Sequence, residues 1–197
     1  HQYAVDHDIL FNAEKNCVSN FESRKFKLHA VPCLRLDEMV LTYRESHKIL
    51  GIEIDGSGCD DKDISRQVRG LYFRANMLCR KFSSCSYNVK RQLFVSYCTN
   101  MYCANLWSRF SLGQIQKLKV AYNKSFRKLF KLPARCSASE MFVHRNVPTF
   151  DILMRRNVYS LQQRLMKSEN ALVQAATNSH FRYHSKLQAR WDTVLYK

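Results

Sequence analysis

The stretch YRESHKILGIEIDGSGCDDKD, residues 43–63, contains the transition from a strand pattern to a helix pattern that decides the fold. Ile49, Leu50, Ile52 and Ile54 form a short apolar run that is typical of a buried β-strand, and the glycines after it indicate a turn. The aspartates that end the stretch suit the first turn of a helix, as capping residues and as charges near the helix dipole. We therefore predict a strand, a turn and a helix in that order.

The part of the chain before this stretch indicates only short strands. A helix end and a loop are predicted to lead into a strand at residues 16–21, and residues 33–41 predict a hairpin with Asp37 and Glu38 at its turn. Three or four such strands are too few to complete a sheet and would leave an apolar edge unpaired. Residues 1–59 are therefore predicted to be an incomplete α/β portion whose sheet partners lie upstream.

The rest of the chain predicts helices. The first has an apolar stripe at helical spacing, and Ser111, Ser137 and Thr149 are predicted to cap later helices. The predicted helices cover residues 60–82, 88–107, 112–132, 138–143 and 150–166, with one or two more before the C-terminus. The predicted fold class is thus α+β, with an incomplete α/β part at 1–59, a basic helical part at 60–135 and a C-terminal helical segment at 136–197.

Charge is distributed very unevenly along the chain. Residues 1–63 carry 8 Lys/Arg and 12 Asp/Glu, a net charge of −4, whereas residues 64–197 carry 24 and 4, a net charge of +20. Residues 64–139 contain 15 basic and no acidic residues. Soluble helices usually intersperse both signs, so this imbalance favours binding of a polyanion. A solvated basic surface is the alternative, and an anionic membrane surface is a weaker one.

Nine basic residues lie away from the apolar stripes of the first and third predicted helices. They are the candidate nucleic-acid-binding residues: Arg66, Arg69, Arg74, Arg80, Lys81, Lys117, Lys124, Arg127 and Lys128.

The eight cysteines form no CxxC pair, which favours free thiols in a reducing compartment over a zinc site or disulfides. The first residues, HQYAVDHD, have neither the basic n-region nor the apolar h-region of a signal peptide, and no apolar run reaches the ~20 residues of a membrane helix. We therefore expect an intracellular protein, cytoplasmic or nuclear, without a membrane partner. Asp60 and Asp61 are the only adjacent aspartates, and helix capping is favoured there over a metal site.

Three stretches together resemble a known family. DILFNAEKN at residues 8–16 is similar to a polymerase motif of the form Phe-Asn-x-x-Lys, HKILGIEID at 47–55 to a primer-grip motif, and residues 125–148 to the thumb and the segment after it. In this order and spacing they resemble the C-terminal part of the reverse transcriptase, an RNA-directed DNA polymerase, of LINE-type, jockey-like non-LTR retrotransposons.

The resemblance implies a division of roles. Lys15 would be the catalytic basic residue that assists departure of pyrophosphate, and the basic helices would be a thumb that holds an RNA or DNA template–primer duplex by its phosphates. The primer grip would be Lys48, Ile49, Leu50, Gly51 and Ile52. Mg²⁺ would be bound by carboxylates of the missing N-terminal polymerase portion, so no metal or cofactor is expected in this chain.

The chain departs from the family pattern in two ways. The Phe/Tyr-Ala-Asp-Asp strand is absent, so the chain alone is predicted to be inactive, and Ile49 and Ala13 replace a usual aromatic residue and a usual proline. Two alternatives stay open: a non-enzymatic nucleic-acid-binding or scaffold protein derived from such an element, and a poorly folding or unexpressed relic of one.

Overall fold

The computed structural model describes residues 2–9, 12, 16–21, 32–36, 39–179 and 185–196. The protein is mixed α/β and mostly helical. It divides into two compact units, His1–Cys59 and Asp60–Lys197, and this division coincides with the first predicted boundary.

In the residues of the first unit that the structure describes, there are one helix and three separate pairs of short strands. Helix α1 spans Gln2–Asp6. The pairs are β1 (Cys17–Val18) parallel to β4 (Thr42–Tyr43), β2 (Arg35–Leu36) antiparallel to β3 (Met39–Val40), and β5 (Ser46–Ile49) antiparallel to β6 (Ile52–Asp55). Ala4 is the only buried apolar residue among those described in this unit. The described strands of this unit therefore bury none of their apolar side chains fully.

The hairpin predicted at residues 33–41 is confirmed, because β2 pairs with β3 and Leu36 lies opposite Met39. Its turn residues, Asp37 and Glu38, lie outside the described residues. The strand predicted at 16–21 is reduced to the two residues of β1.

The single buried strand predicted around Ile49 is wrong, because residues 46–55 form a hairpin. Leu50 and Gly51 have φ angles of 47° and 86°, and they connect β5 to β6 as a two-residue turn with both residues left-handed. Such a turn matches the twist of the strands it joins. Ile49 and Leu50 are 45% and 86% exposed. The apolar run did not indicate the turn, because leucine rarely occupies this conformation. The residues on either side of the turn pair with each other as β5 and β6.

The second unit consists of helices. They are α2 (Asp61–Lys81), α3 (Tyr87–Cys98), α4 (Leu112–Leu129), α5 (Ala138–Val143), α6 (Phe150–Met166), α7 (Ala171–Asn178) and α8 (Lys186–Tyr196), with a 3₁₀ turn at Ala104–Leu106. The side chains of Ser111 and Thr149 cap α4 and α6 as predicted. The capping box predicted at Ser137 is wrong, because the Ser137 side chain makes no cap hydrogen bond to α5.

Helix α3 ends nine residues earlier than predicted. The hydroxyl of Thr99 donates to the carbonyl oxygen of Val95 at 2.6 Å, and Cys103 is left-handed with a φ of 59°. Thr99 therefore satisfies a carbonyl at the helix end, and the chain turns before the 3₁₀ segment. Val89 and Tyr97 are nearly half exposed, and the buried residues of α3 are Phe94 and Cys98.

The apolar stripes predicted for α2 and α4 are confirmed and form much of one core. Phe94, Tyr122, Phe126 and Phe142 pack in it with ring centroids 4.6–5.4 Å apart. Phe142 stacks on Tyr122 with an interplanar angle of 18°. Residues 136–197 therefore contribute to the same core as residues 60–135.

Helices α2 and α4 run side by side in the same direction. Near their starts, the Asp61 carboxylate accepts the Ser111 backbone N–H at 2.8 Å. Near their ends, Lys128 Nζ donates to Asn76 Oδ1 at 2.6 Å. Contacts early and late in both helices require a parallel arrangement, so their C-terminal ends lie together.

All eight cysteines are free thiols, as predicted. Within the described ranges, no helix has both the length and the apolar character that crossing a membrane requires.

Candidate nucleic-acid interface

The candidate residues of the first unit lie on the β5–β6 hairpin. Lys48 is exposed on β5, Leu50 projects at the tip, and Ile52 is half-buried at the start of β6. The hairpin thus presents apolar side chains and one lysine to solvent at its turn. Lys15, the predicted catalytic residue, lies outside the described residues.

A histidine anchors the base of this hairpin. The Ser19 hydroxyl lies 2.7 Å from both the Arg44 carbonyl oxygen and Nδ1 of His47. Because the carbonyl can only accept, Ser19 donates its single proton there and accepts from the ring. The pair cannot act as a nucleophile with its base, since the histidine is the donor.

Arg66, predicted to contact phosphate, instead pairs with a buried carboxylate. Its guanidinium lies 2.6 Å from Asp63 Oδ1, and Asp63 is fully buried. The second oxygen of Asp63 accepts the indole N–H of Trp107 at 2.9 Å. Arg66 therefore balances an internal charge, which leaves its guanidinium less available to a phosphate.

Arg74 is also only partly available. Its side chain is half-buried, and its Nη1 would lie 3.2 Å from a Cβ added at Gly70, one turn earlier. Arg69, Arg80 and Lys81 are exposed. Of the five basic residues predicted for α2, these three are therefore the exposed ones.

On α4, the exposed candidates are Lys117, Lys124 and Lys128. At 100° per residue they lie within an arc of about 40°, so they form one row along the helix. Arg127 is half-buried and its Nη2 donates to the Cys136 carbonyl oxygen at 2.9 Å. With Lys131, the basic residues of the last turn line a shallow concavity of about 320 Å³.

A helix-dipole role alone does not account for the basic cluster at these ends. Cations near a helix C-terminus are stabilising, and two parallel helices bring together roughly −0.5 charge each. The cluster comprises Arg80, Lys81, Arg127, Lys128 and Lys131. About one negative charge therefore meets five positive ones, and most of the positive charge remains to attract an external anion.

Asp60 and Asp61, at the start of α2, accept hydrogen bonds from backbone groups outside this helix. Asp60 is the N-cap residue, but its side chain makes no cap hydrogen bond to its own helix, so the predicted side-chain capping is wrong. Its Oδ2 accepts the N–H groups of Ser108 and Arg109 at 2.8 and 2.7 Å. Burial raises the pKa of the Asp60 carboxyl, while these two amides oppose the rise.

These carboxylates are engaged in hydrogen bonds to the backbone. Asp60 and Asp61 both accept backbone N–H groups of residues 108–111. In the part of the chain that the structure describes, no cluster of three or more His, Cys, Asp or Glu side chains could hold a metal ion.

The sequence analysis did not predict the exposure of two side chains, Leu50 and Phe73. The apolar run places Leu50 in a buried strand, although the following glycine could have indicated a turn. Phe73 is 73% exposed on α2. Its position four residues after Arg69 was the available signal, because residues four apart share a helix face.

Comparisons of the chain with protein-family models, with curated proteins and with solved structures find no match.

Proposed function

We propose that this protein is a nucleic-acid-binding module that holds a polyanion by its backbone, with little regard to base sequence. The observation that carries the proposal is the pair of exposed basic rows on parallel helices, one with Arg69 and Arg80, the other with Lys117, Lys124 and Lys128. Arginine and lysine in such rows neutralise phosphates and release counterions.

Within that class, we propose a fragment of a non-LTR retrotransposon reverse transcriptase. The motifs at residues 8–16, 47–55 and 125–148 support this assignment. The hairpin tip at Leu50 and Gly51 would contact the primer end as the primer grip, and α2 and α4 would hold the template–primer duplex as the thumb. The partner required for polymerisation would be the N-terminal polymerase portion.

A non-enzymatic binding or scaffold role is the second candidate function. The carboxylates of Asp60 and Asp61 are used by backbone amides, which favours binding without catalysis by this chain. We expect no template-directed primer extension by the purified chain with Mg²⁺. Extension would show that catalytic groups are present and would exclude this second role.

Duplex affinity at several salt concentrations tests the binding proposal. Replacing Lys117 and Lys124 by alanine should remove two phosphate contacts and lower the slope of log K against log salt by roughly 1.8 on duplex DNA. Lys119→Ala is the matched control on the same helix, because Lys119 is paired with Asp151 at 2.6 Å. An unchanged slope in the double variant would mean that the α4 row is only a solvated surface.

A further inference from the structure

Phe73 lies in the middle of the basic side of α2 with 73% of its surface exposed. At 100° per residue, Arg69, Phe73, Asn76 and Arg80 fall within an arc of about 60°. Arg69 precedes Phe73 by one turn, and Arg80 follows it by two. The ring is therefore placed between two guanidinium groups along the helix.

Helix α4 adds two cations at the same height. Asn76 lies beside Lys128, with a hydrogen bond of 2.6 Å. Because the helices are parallel, Phe73, about one turn before Asn76, lies near the level of Lys124, one turn before Lys128. The aromatic ring thus belongs to a surface whose other prominent groups are positively charged.

Packing within the unit does not explain Phe73. The core contains four other phenylalanines of this unit, and Phe73 is not among the residues buried in it or packed against it. A large apolar ring left in water forgoes the hydrophobic stabilisation that burial would give it. An external partner that covered the ring would recover this energy.

The positive charge around the Phe73 ring indicates the chemical class of the partner. A single strand of RNA or DNA is a polyanion that carries a flat apolar base beside each phosphate, and bases stack well on exposed aromatic side chains. In a duplex the base faces are already covered by their neighbours, so Phe73 has nothing to stack on. A membrane surface would require a broader apolar face than this helix presents.

We propose that Phe73 is a stacking platform for an unpaired nucleobase, with Arg69, Arg80 and Lys128 contacting the flanking phosphates of the same strand. This inference rests on the proposed nucleic-acid-binding function and extends it to single-stranded segments, such as the unpaired template beside a duplex.

Affinities of the full chain for a single-stranded oligonucleotide of about 16 nucleotides, as DNA and as RNA, and for the matching duplex test the proposal. Phe73→Ala should weaken single-strand binding about 5- to 150-fold, the range for loss of one stacked base, and change duplex binding less than about two-fold. Phe73→Trp should retain or increase single-strand affinity, because an indole ring also stacks on a base.

Tyr97→Ala is the control, because Tyr97 is a 47% exposed aromatic residue on α3 without basic residues one turn away. It should leave single-strand affinity unchanged, and thermal melting should show each variant folded.

Each outcome separates the two proposals. If Phe73→Ala binds single strands as the wild type does while the Lys117/Lys124 variant loses salt dependence on duplex, base stacking is excluded and the binding function stands. Equal losses on single strand and duplex also exclude stacking. If the wild type binds no oligonucleotide, both proposals fail. If Phe73→Ala instead weakens binding only to vesicles containing anionic lipid, the partner is a membrane and stacking is excluded.

Discussion

Asp63 and Arg66 illustrate how single residues at the start of α2 hold distant parts of the chain. Asp63 is fully buried, yet it accepts hydrogen bonds from Arg66 on its own helix and from Trp107, 44 residues later. A buried carboxylate is tolerated only when it is paired and hydrogen-bonded. The residue expected to face phosphate therefore stabilises the fold.

Arg66→Ala should consequently lower the free energy of unfolding. The change removes the guanidinium that balances a buried charge, and we expect a loss of about 2–4 kcal/mol, somewhat below the range for fully buried pairs because Arg66 is partly exposed. Chemical denaturation measures it. Arg69→Ala, on the exposed side of the same helix, should stay within about 0.5 kcal/mol. Equal effects of the two substitutions would contradict the assigned role of Arg66.

Asp60 should tolerate loss of charge but not loss of its oxygen. One oxygen accepts both the Ser108 and Arg109 amides, so the carbonyl of Asp60→Asn can replace it, at a cost below about 1 kcal/mol. Asp60→Ala leaves two amides without this acceptor and should cost about 1–3 kcal/mol. A cost for the asparagine variant as large as that for alanine would mean that the charge itself is required.

The raised pKa of Asp60 also has a pH consequence. The folded protein binds the Asp60 proton more tightly than the unfolded chain does. Its contribution to stability is therefore fully present below the ordinary pKa of 3.8 and is lost as the pH rises through the higher folded value. Unfolding measured between about pH 3 and 6 should show a smaller decline with pH in Asp60→Asn than in the wild type.

Among the helices, α5 contributes Phe142 to the aromatic core beside α4. Phe142 is 1% exposed and contacts Tyr122 and Phe126 on α4. The next residue, Val143, is 73% exposed on the same short helix. Substituting each of these two neighbours in turn therefore distinguishes a loss of core packing from a loss of helix formation.

Phe142→Ala should destabilise the helical unit by about 3–5 kcal/mol, since it opens a cavity among aromatic rings. Val143→Ala should change stability by less than about 0.5 kcal/mol. Thermal unfolding followed by circular dichroism measures both. If residues 136–197 formed an independent domain, Phe142→Ala would leave the unfolding of residues 60–135 unchanged, and such a result would refute the shared core.

Over the full chain, the dominant electrostatic feature is the net charge of +20 on residues 64–197. Charges closer than the Debye length repel, and this length falls from about 30 Å at 0.01 M salt to about 8 Å at 0.15 M. Screening should therefore stabilise the folded protein, in contrast to proteins whose surfaces hold many ion pairs.

Raising NaCl from about 0.01 to 0.15 M should increase the melting temperature by about 3–5 °C, the shift expected for relief of roughly 1 kcal/mol. Replacing Arg80, Lys124 and Lys128 together by glutamine should raise the melting temperature at low salt and reduce its salt dependence. A melting temperature that falls with added salt would contradict net repulsion in the folded state.

Several features of this protein could be predicted from local patterns. The apolar stripes of α2 and α4, the caps at Ser111 and Thr149, and the β2–β3 hairpin follow from spacing and residue type within one element. The charge division at the end of the strand region follows from composition. These signals are local, because helix and strand periodicities repeat within a few residues.

The remaining features depend on partners far away in the sequence. Ser108 and Arg109 donate to the Asp60 carboxylate across nearly 50 residues, whereas this carboxylate makes no cap hydrogen bond to its own helix. The exposure of Phe73, the pairing of Arg66 and the joining of residues 136–197 to the core are likewise decided by packing. Residue type and spacing set which residues are charged and which faces are apolar. Folding decides which of those charges are already neutralised, because hydrogen-bond partners are chosen by proximity in the folded chain.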